Sequence, residues 1–178
     1  MLTETQRARL LALARESLER HLAGDPSLPV IKDVLPEASG VFVTIKTNRQ
    51  LRGCLGVLQM RRSLPEEVAH CVRSSATEDP RFPPLTAAEL PAVSLEISVL
   101  GPLEEIDPHQ EGAIVIGRHG LVVEQGFRRG LLLPQVAVEW NWTPEEFLAQ
   151  TCRKAGLPAD AWRRGARVHR FDAQVFGE

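Results

Sequence analysis

The stretch with the clearest chemical potential is Leu51-Arg52-Gly53-Cys54-Leu55-Gly56. The thiolate is the nucleophilic form of cysteine, and a nearby cation such as the Arg52 guanidinium favours it over the thiol. Gly53 and Gly56 lack side chains, so another group can approach the backbone closely there. Cys54 is therefore a candidate nucleophile with Arg52 as its thiolate stabiliser, and Gly53 and Gly56 are candidate substrate-binding positions.

Cys54 also has a structural interpretation. Free cysteine is among the most buried residue types and often packs as a small hydrophobic side chain. Glycine inside a strand often marks only a bulge or a bend. Spacing alone does not separate these two interpretations, and both stay open at this point.

The cysteine is predicted to lie on the returning strand of a hairpin. Residues 40–47 are rich in β-branched and aromatic side chains, which are typical of a strand, and residues 48–50 form a plausible turn. Because side chains alternate along a strand, we expect Arg52, Cys54 and Gly56 to share one face.

A second candidate segment spans residues 78–85 and contains three prolines, which exclude regular structure. It displays Asp79 and Arg81, two candidate substrate-binding residues. They form either the binding edge of a stiff loop or an Asp–Arg clasp at the surface, and the sequence favours neither.

His119 is a further candidate because it lies in Gly117-Arg118-His119-Gly120. The flanking apolar residues 113–116 and 121–124 predict a hairpin with this stretch as its turn, which would expose the histidine. The five histidines show no paired ligand spacing, so the sequence predicts no local metal site. The common nucleotide, zinc-protease and hydrolase motifs are also absent, so no cofactor is implied.

Composition sets broad limits. The 178 residues fit one domain, with or without a smaller lobe, and the net charge of −2 provides no general attraction for nucleic acid. Three cysteines without a C-x-x-C pair favour reduced thiols in the cytoplasm. No apolar run approaches the roughly 18 to 20 residues of a membrane span, and the first residues lack a signal-peptide core.

The remaining pattern predicts an α+β fold. Capping residues Thr3, Ser63 and Thr143 indicate three helices, and residues 135–140 indicate a fourth, shorter one. Residues 93–100, 130–134 and 166–176 read as further strands. We therefore expect an antiparallel or mixed sheet flanked by helices.

Six stretches in order carry a resemblance to a known family. They are Leu51-Arg52-Gly53-Cys54-Leu55-Gly56, Asp79-Pro80-Arg81-Phe82-Pro83-Pro84, Glu89-Leu90 with the Ser94 to Leu100 strand, Gly117-Arg118-His119-Gly120-Leu121, Leu132-Leu133-Pro134-Gln135-Val136-Ala137 with Glu139, and Lys154-Ala155-Gly156-Leu157. The chain resembles the AMMECR domain family, whose prokaryotic members are called AmmeMemoRadiSam system protein A. The one departure is Leu55, where the family commonly has isoleucine.

The resemblance implies a single AMMECR-type domain over residues 1–178, with a larger sheet-containing part and a smaller part. It implies no fixed activity, but it suggests a Memo-like protein and a radical SAM protein as partners and a role in RNA modification. It adds Pro134 and Glu139 to the family motif positions, Glu139 and His119 as candidates for acid–base chemistry, and Lys154 as a candidate substrate-binding residue. The alternative is a non-catalytic module or scaffold that binds RNA, phosphate or protein.

Overall fold

The computed structural model describes residues 2–29, 35–36 and 38–178. The chain divides into two compact units. Unit 1 comprises Met1–Leu100 and Gln174–Glu178, and unit 2 comprises Gly101–Ala173.

Unit 1 is built from an antiparallel sheet covered by two helices. Its elements are α1 (Glu4–Leu22), β1 (Gly40–Thr47), β2 (Gln50–Val57), α2 (Leu64–Thr77), a 3₁₀ helix (Ala87–Ala92) and β3 (Val93–Leu100). The strand order is β2-β1-β3, so β2 is joined to only one of these strands, β1. Buried side chains of both helices pack with those of β1 and β3 in one core, for example Leu18, Val72 and Ile45.

The predicted hairpin that carries Cys54 is confirmed. Asn48 and Arg49 form its turn, and both have positive φ, 52° and 66°. This is the backbone conformation that lets a two-residue turn follow the twist of its strands. The capping boxes at Thr3 and Ser63 are also confirmed, and each fixes the first turn of its helix.

Unit 2 contains a second antiparallel set of strands. Its elements are β4 (Glu104–Ile106), β5 (His119–Gln125), β6 (Arg128–Leu132), α3 (Pro134–Glu139), α4 (Pro144–Lys154), a 3₁₀ helix (Ala161–Arg163) and β7 (Arg167–Gly177), whose last residues belong to unit 1. The strands pair in the order β4-β7-β5-β6. The helix α4 buries Phe147, Leu148 and Cys152 in a core with β5 residues such as Val123. The α+β prediction is confirmed, and the strand pairs β1–β2, β1–β3, β4–β7, β5–β6 and β5–β7 are all antiparallel.

The predicted hairpin over residues 113–124 is wrong. Residues 113–118 are irregular, and β5 begins only at His119. The carbonyl of Val115 accepts hydrogen bonds from the amides of Arg118 and His119, and its own amide donates to His119 Nδ1. These bonds close a turn and use the groups that a strand would need for pairing. The actual hairpin joins β5 to β6 through Gly126 and Phe127.

Candidate functional site

Cys54 lies in β2, directly opposite Thr44 of β1. The Thr44 hydroxyl donates a hydrogen bond to Cys54 Sγ over 3.2 Å. Cys54 is half-buried, whereas Cys71 and Cys152 are buried in the cores of their units. Cys54 is therefore the cysteine that combines partial exposure with a directed polar contact.

The backbone of Cys54 is held by the segment that follows α2. The Cys54 amide donates to Asp79 Oδ2 over 2.9 Å, and the Cys54 carbonyl accepts from Arg81 Nη2 over 3.2 Å. Asp79 and Arg81 also bind each other through two guanidinium hydrogen bonds of 2.9 and 2.7 Å. Both groups of the Cys54 backbone are thus satisfied by one Asp–Arg pair. The Asp79–Arg81 clasp, one of the two alternatives that the sequence left open, is present, and it binds the strand that carries Cys54.

Gly53 lets helix α2 approach this strand. A Cβ at Gly53 would lie 2.1 Å from the carbonyl oxygen of Ser75, a distance that no side chain tolerates. The Ser75 hydroxyl accepts from the amide of Leu55 over 2.7 Å and donates to the carbonyl of Val43 over 2.8 Å. Ser75 therefore bridges β1 and β2 one residue beyond Cys54, which fixes the strand further.

Burial raises the pKa of the Cys54 thiol. The Thr44 hydrogen bond and the positive charge of Arg81 act in the opposite direction, while the negative charges of Asp79 and Glu96 add to the effect of burial. The net result is a thiol that is protonated at neutral pH. Burial, rather than the charges around the thiol, is the main cause of the raised pKa.

Arg52 does not act on the thiol as the sequence suggested. The β1–β2 register shifts between Ile45 and Lys46, so Arg52 is the extra residue of a β-bulge and the predicted alternation does not extend through it. Its guanidinium donates to Glu89 Oε1 over 2.9 Å and to the Pro83 carbonyl over 2.9 Å. This pairing lowers the pKa of Glu89 to about 2. Arg52 anchors the proline-rich segment, and Arg81 is the arginine whose charge favours a Cys54 thiolate.

Two residues that the sequence analysis did not single out lie in the same strand row as the cysteine. Thr44 of β1 pairs with Cys54 on one side and with Glu96 of β3 on the other. The Glu96 carboxylate is in turn held by Lys46 Nζ at 2.8 Å. Residues directly opposite one another on neighbouring strands share a face of the sheet, so the strand register identifies these two neighbours of Cys54. The register follows only once it is known which strands pair, and the sequence does not show this.

His119 is buried rather than displayed at a turn, with 5% of its surface exposed. Its Nδ1 accepts the Val115 amide over 3.0 Å, so the neutral ring carries its proton on Nε2, which faces Asp172 Oδ1 at 3.7 Å. Burial lowers the pKa of His119, and the nearby charge of Arg170 acts in the same direction. The His119 ring therefore stabilises the turn before β5 by accepting the Val115 amide.

The other candidates lie on three different elements of unit 2, with His119 at the start of β5. Glu139 is exposed at the end of α3, and Lys154 is exposed at the end of α4. His119 and Glu139 both belong to unit 2, whereas Cys54 belongs to unit 1. Their acid–base role with the thiol stays a prediction.

Residues 2–29, 35–36 and 38–178 contain neither a cluster of metal-binding side chains nor a membrane-spanning helix. No three or more side chains of the His, Cys, Asp and Glu types are grouped so that they could bind a metal ion. None of the helices in these ranges combines the length and apolar character of a membrane span.

Comparison with known proteins gives a consistent result. The AMMECR1 family matches residues 11–176. The chain belongs to the AMMECR1 family. A relative of this AMMECR1-family chain from Thermofilum pendens is 45% identical over 195 residues, covering 99% of the chain and 92% of the relative. Another from Methanothermobacter thermautotrophicus is 44% identical over 177 residues, covering 95% and 92%. The crystal structure of protein PH0010 from Pyrococcus horikoshii matches with a TM-score of 0.91 and 41% identity, covering 99% of this chain and 93% of that one.

In this AMMECR1-family protein, the candidate site is arranged around a neutral, positioned thiol. The strand that carries Cys54 is held by Asp79, Arg81 and Ser75, and Thr44 orients Sγ. Such a thiol can attack an electrophile once it loses its proton, or it can pack as a structural group.

Proposed function

We propose that this protein contributes a thiol site at Cys54 to a modification reaction. The observation that carries the proposal is the double anchoring of the Cys54 backbone by Asp79 and Arg81, at a cysteine that is only half-buried. A nucleophile gains rate when its position is fixed before the substrate arrives. The two bonds fix the backbone position from which Cys54 Sγ would act.

The proposed chemistry starts from the protonated thiol. Sγ forms a bond to an electrophilic atom of the substrate, and the thiol proton passes to a base. The bond between that atom and the leaving group breaks, and the leaving group departs with its electron pair. Unit 1 offers Glu96, which lies in the same strand row as Cys54, for this proton. Arg81 stabilises the thiolate as it forms, because its positive charge lowers the pKa of the thiol.

The family resemblance supports the setting of this reaction. We propose a Memo-like protein and a radical SAM protein as partners and an RNA as the modified substrate. The resemblance of the motif around Cys54 to the prokaryotic members supports this assignment.

The test uses a strain of the native organism that lacks the protein. Nucleosides from total RNA are compared by mass spectrometry among the deletion strain and strains that carry the wild type or the Cys54→Ser variant. We expect one nucleoside to fall in the deletion strain and to recover with the wild type alone. Recovery with Cys54→Ser would refute the thiol role, and an unchanged nucleoside profile in the deletion strain would refute RNA as the substrate.

A second candidate function is a binding module without chemistry. The raised pKa of Cys54 favours it, because a protonated thiol is a weak nucleophile. In that case Cys54→Ser retains function, while Arg81→Ala, which removes the guanidinium hydrogen bonds to Asp79 and to the Cys54 carbonyl, loses it. The same strains distinguish the two candidates.

A further inference from the structure

The hairpin between β5 and β6 ends in an aromatic side chain that no structural need explains. Gly126 has a φ of 59°, which a two-residue hairpin turn requires at its first position, whereas Phe127 is not among the residues with positive φ. The second position of such a turn accepts small polar residues without strain. Phe127 is fully exposed, so it contributes nothing to the core.

Positive charge surrounds this tip. Arg128 follows the turn, and its Nη1 donates to the carbonyl of Gly156 over 2.6 Å. Gly130 packs so closely on the end of α4 that an added Cβ would lie 2.3 Å from the amide nitrogen of Ala155. The hairpin and the last turn of α4, which carries Arg153 and Lys154, therefore form one surface within unit 2.

Three cations of this surface carry charge that no carboxylate offsets. Among the described residues, Arg128, Arg153 and Lys154 form no ion pair, and all three are exposed. Three other arginines of unit 2 differ in this respect. Arg164, Arg167 and Arg170 each pair with a carboxylate, namely Asp160, Glu105 and Glu104.

We propose that Phe127, Arg128, Arg153 and Lys154 form a contact surface for single-stranded nucleic acid. An exposed ring offers a stacking platform for one base, and flanking cations bind the phosphates on either side of it. A membrane surface fits less well, because a single aromatic ring gives little apolar area to insert. The inference deepens the proposed function by naming the surface that holds an RNA. Its test does not involve Cys54, so either proposal can fail alone.

The test is a fluorescence anisotropy titration of the full chain against a labelled single-stranded RNA of 12 nucleotides and a DNA of the same sequence. We expect binding that weakens with salt, with a slope of log K against log salt of about −2 for three phosphate contacts. Phe127→Ser should weaken binding at least about fivefold, since it removes a stacked base. A variant with Arg153→Gln and Lys154→Gln should lower the magnitude of the slope to about 0.7.

The matched control is Arg49→Gln, which removes one positive charge from the tip of the other hairpin. It should bind as the wild type does. Tighter binding to the RNA than to the DNA assigns the surface to RNA, and equal binding assigns it to single strands in general. The proposal is overturned if the wild type binds neither the RNA nor the DNA, or if Phe127→Ser binds them as tightly as the wild type does. It is also overturned if the protein binds anionic phospholipid vesicles through Phe127 instead of nucleic acid.

Discussion

Replacing Asp79 by asparagine tests whether the Asp–Arg clasp holds the cysteine strand. The carboxylate accepts four hydrogen bonds, from the Cys54 amide, the Arg81 amide and two guanidinium nitrogens of Arg81. Asparagine offers one carbonyl oxygen in the same place, and its NH₂ group faces donors whichever way the amide is turned. At least two of the four bonds are therefore lost, and their donors are left without this acceptor.

The cost follows from burial. The Asp79 side chain is 2% exposed, and removing one partner of a buried charged pair costs about 3–5 kcal/mol. Because the Arg81 side chain is 53% exposed and regains water, we expect the lower end, about 3 kcal/mol off the free energy of unfolding. The effect should depend on pH. The hydrogen bonds from Arg81 hold the pKa of Asp79 well below its ordinary value. Its stabilisation is therefore complete above the unfolded pKa of 3.8 and is lost as the pH falls toward the folded value.

Urea unfolding of the wild type and Asp79→Asn, at pH 7 and at intervals down to pH 3, measures this difference. We expect the difference in unfolding free energy between the wild type and Asp79→Asn to be constant down to about pH 5 and to become smaller below about pH 4. The matched control is Asp172→Asn, because Asp172 pairs with Arg118 in a similar two-bond geometry but both side chains are more than half exposed. It should cost less than about 1 kcal/mol. The reasoning is refuted if Asp79→Asn lowers the unfolding free energy by less than about 0.5 kcal/mol, or if its difference from the wild type is the same at pH 3 as at pH 7.

Three further changes test the surroundings of the site. Gly53→Ala should destabilise unit 1 by at least about 1–3 kcal/mol in urea unfolding, because its methyl group would collide with the Ser75 carbonyl. Thr44→Val should raise the pKa of Cys54 further and slow its alkylation at pH 8, as read by mass spectrometry, whereas Thr44→Ser keeps the hydroxyl and the wild-type rate. The wild type should lose thermal stability as the pH falls below 6.5, and His119→Gln should lose less of it. The lowered folded pKa of His119 means that the unfolded state takes up the proton first, so acid favours unfolding in the wild type and less so in the variant.

The sequence predicted the elements whose signals are local. Capping boxes at Ser63 and Thr143 set the starts of α2 and α4, and alternation set β3, since both signals act within a few residues. It failed at residues 113–118, where apolar residues typical of a strand are closed into a turn by the ring of His119. It also missed β4, which has only three residues and forms because β7 lies beside it. Such contacts depend on distant parts of the chain, which periodicity does not report.

The candidate site divides in the same way. Cys54, Asp79 and Arg81 were identified from residue types, and the fold brings all three together. The assignment of the thiol's cation to Arg52 depended on strict alternation, which a bulge interrupts. A bulge depends on how two strands are paired, and residue spacing within one strand carries no record of it.

The charges near Cys54 are balanced before any ligand arrives. Arg81, the cation that favours a thiolate, is bound by Asp79, which opposes one, and Glu96, which also opposes a thiolate, is bound by Lys46. Burial then raises the pKa of the thiol, which stays neutral at neutral pH. A ligand that brings positive charge to this site lowers the thiol pKa, and one that brings negative charge raises it. If Cys54 is a nucleophile, the positive charge that activates it must come from a partner protein, because an RNA substrate brings negative charge, and the pH dependence of alkylation should shift downward when that partner binds.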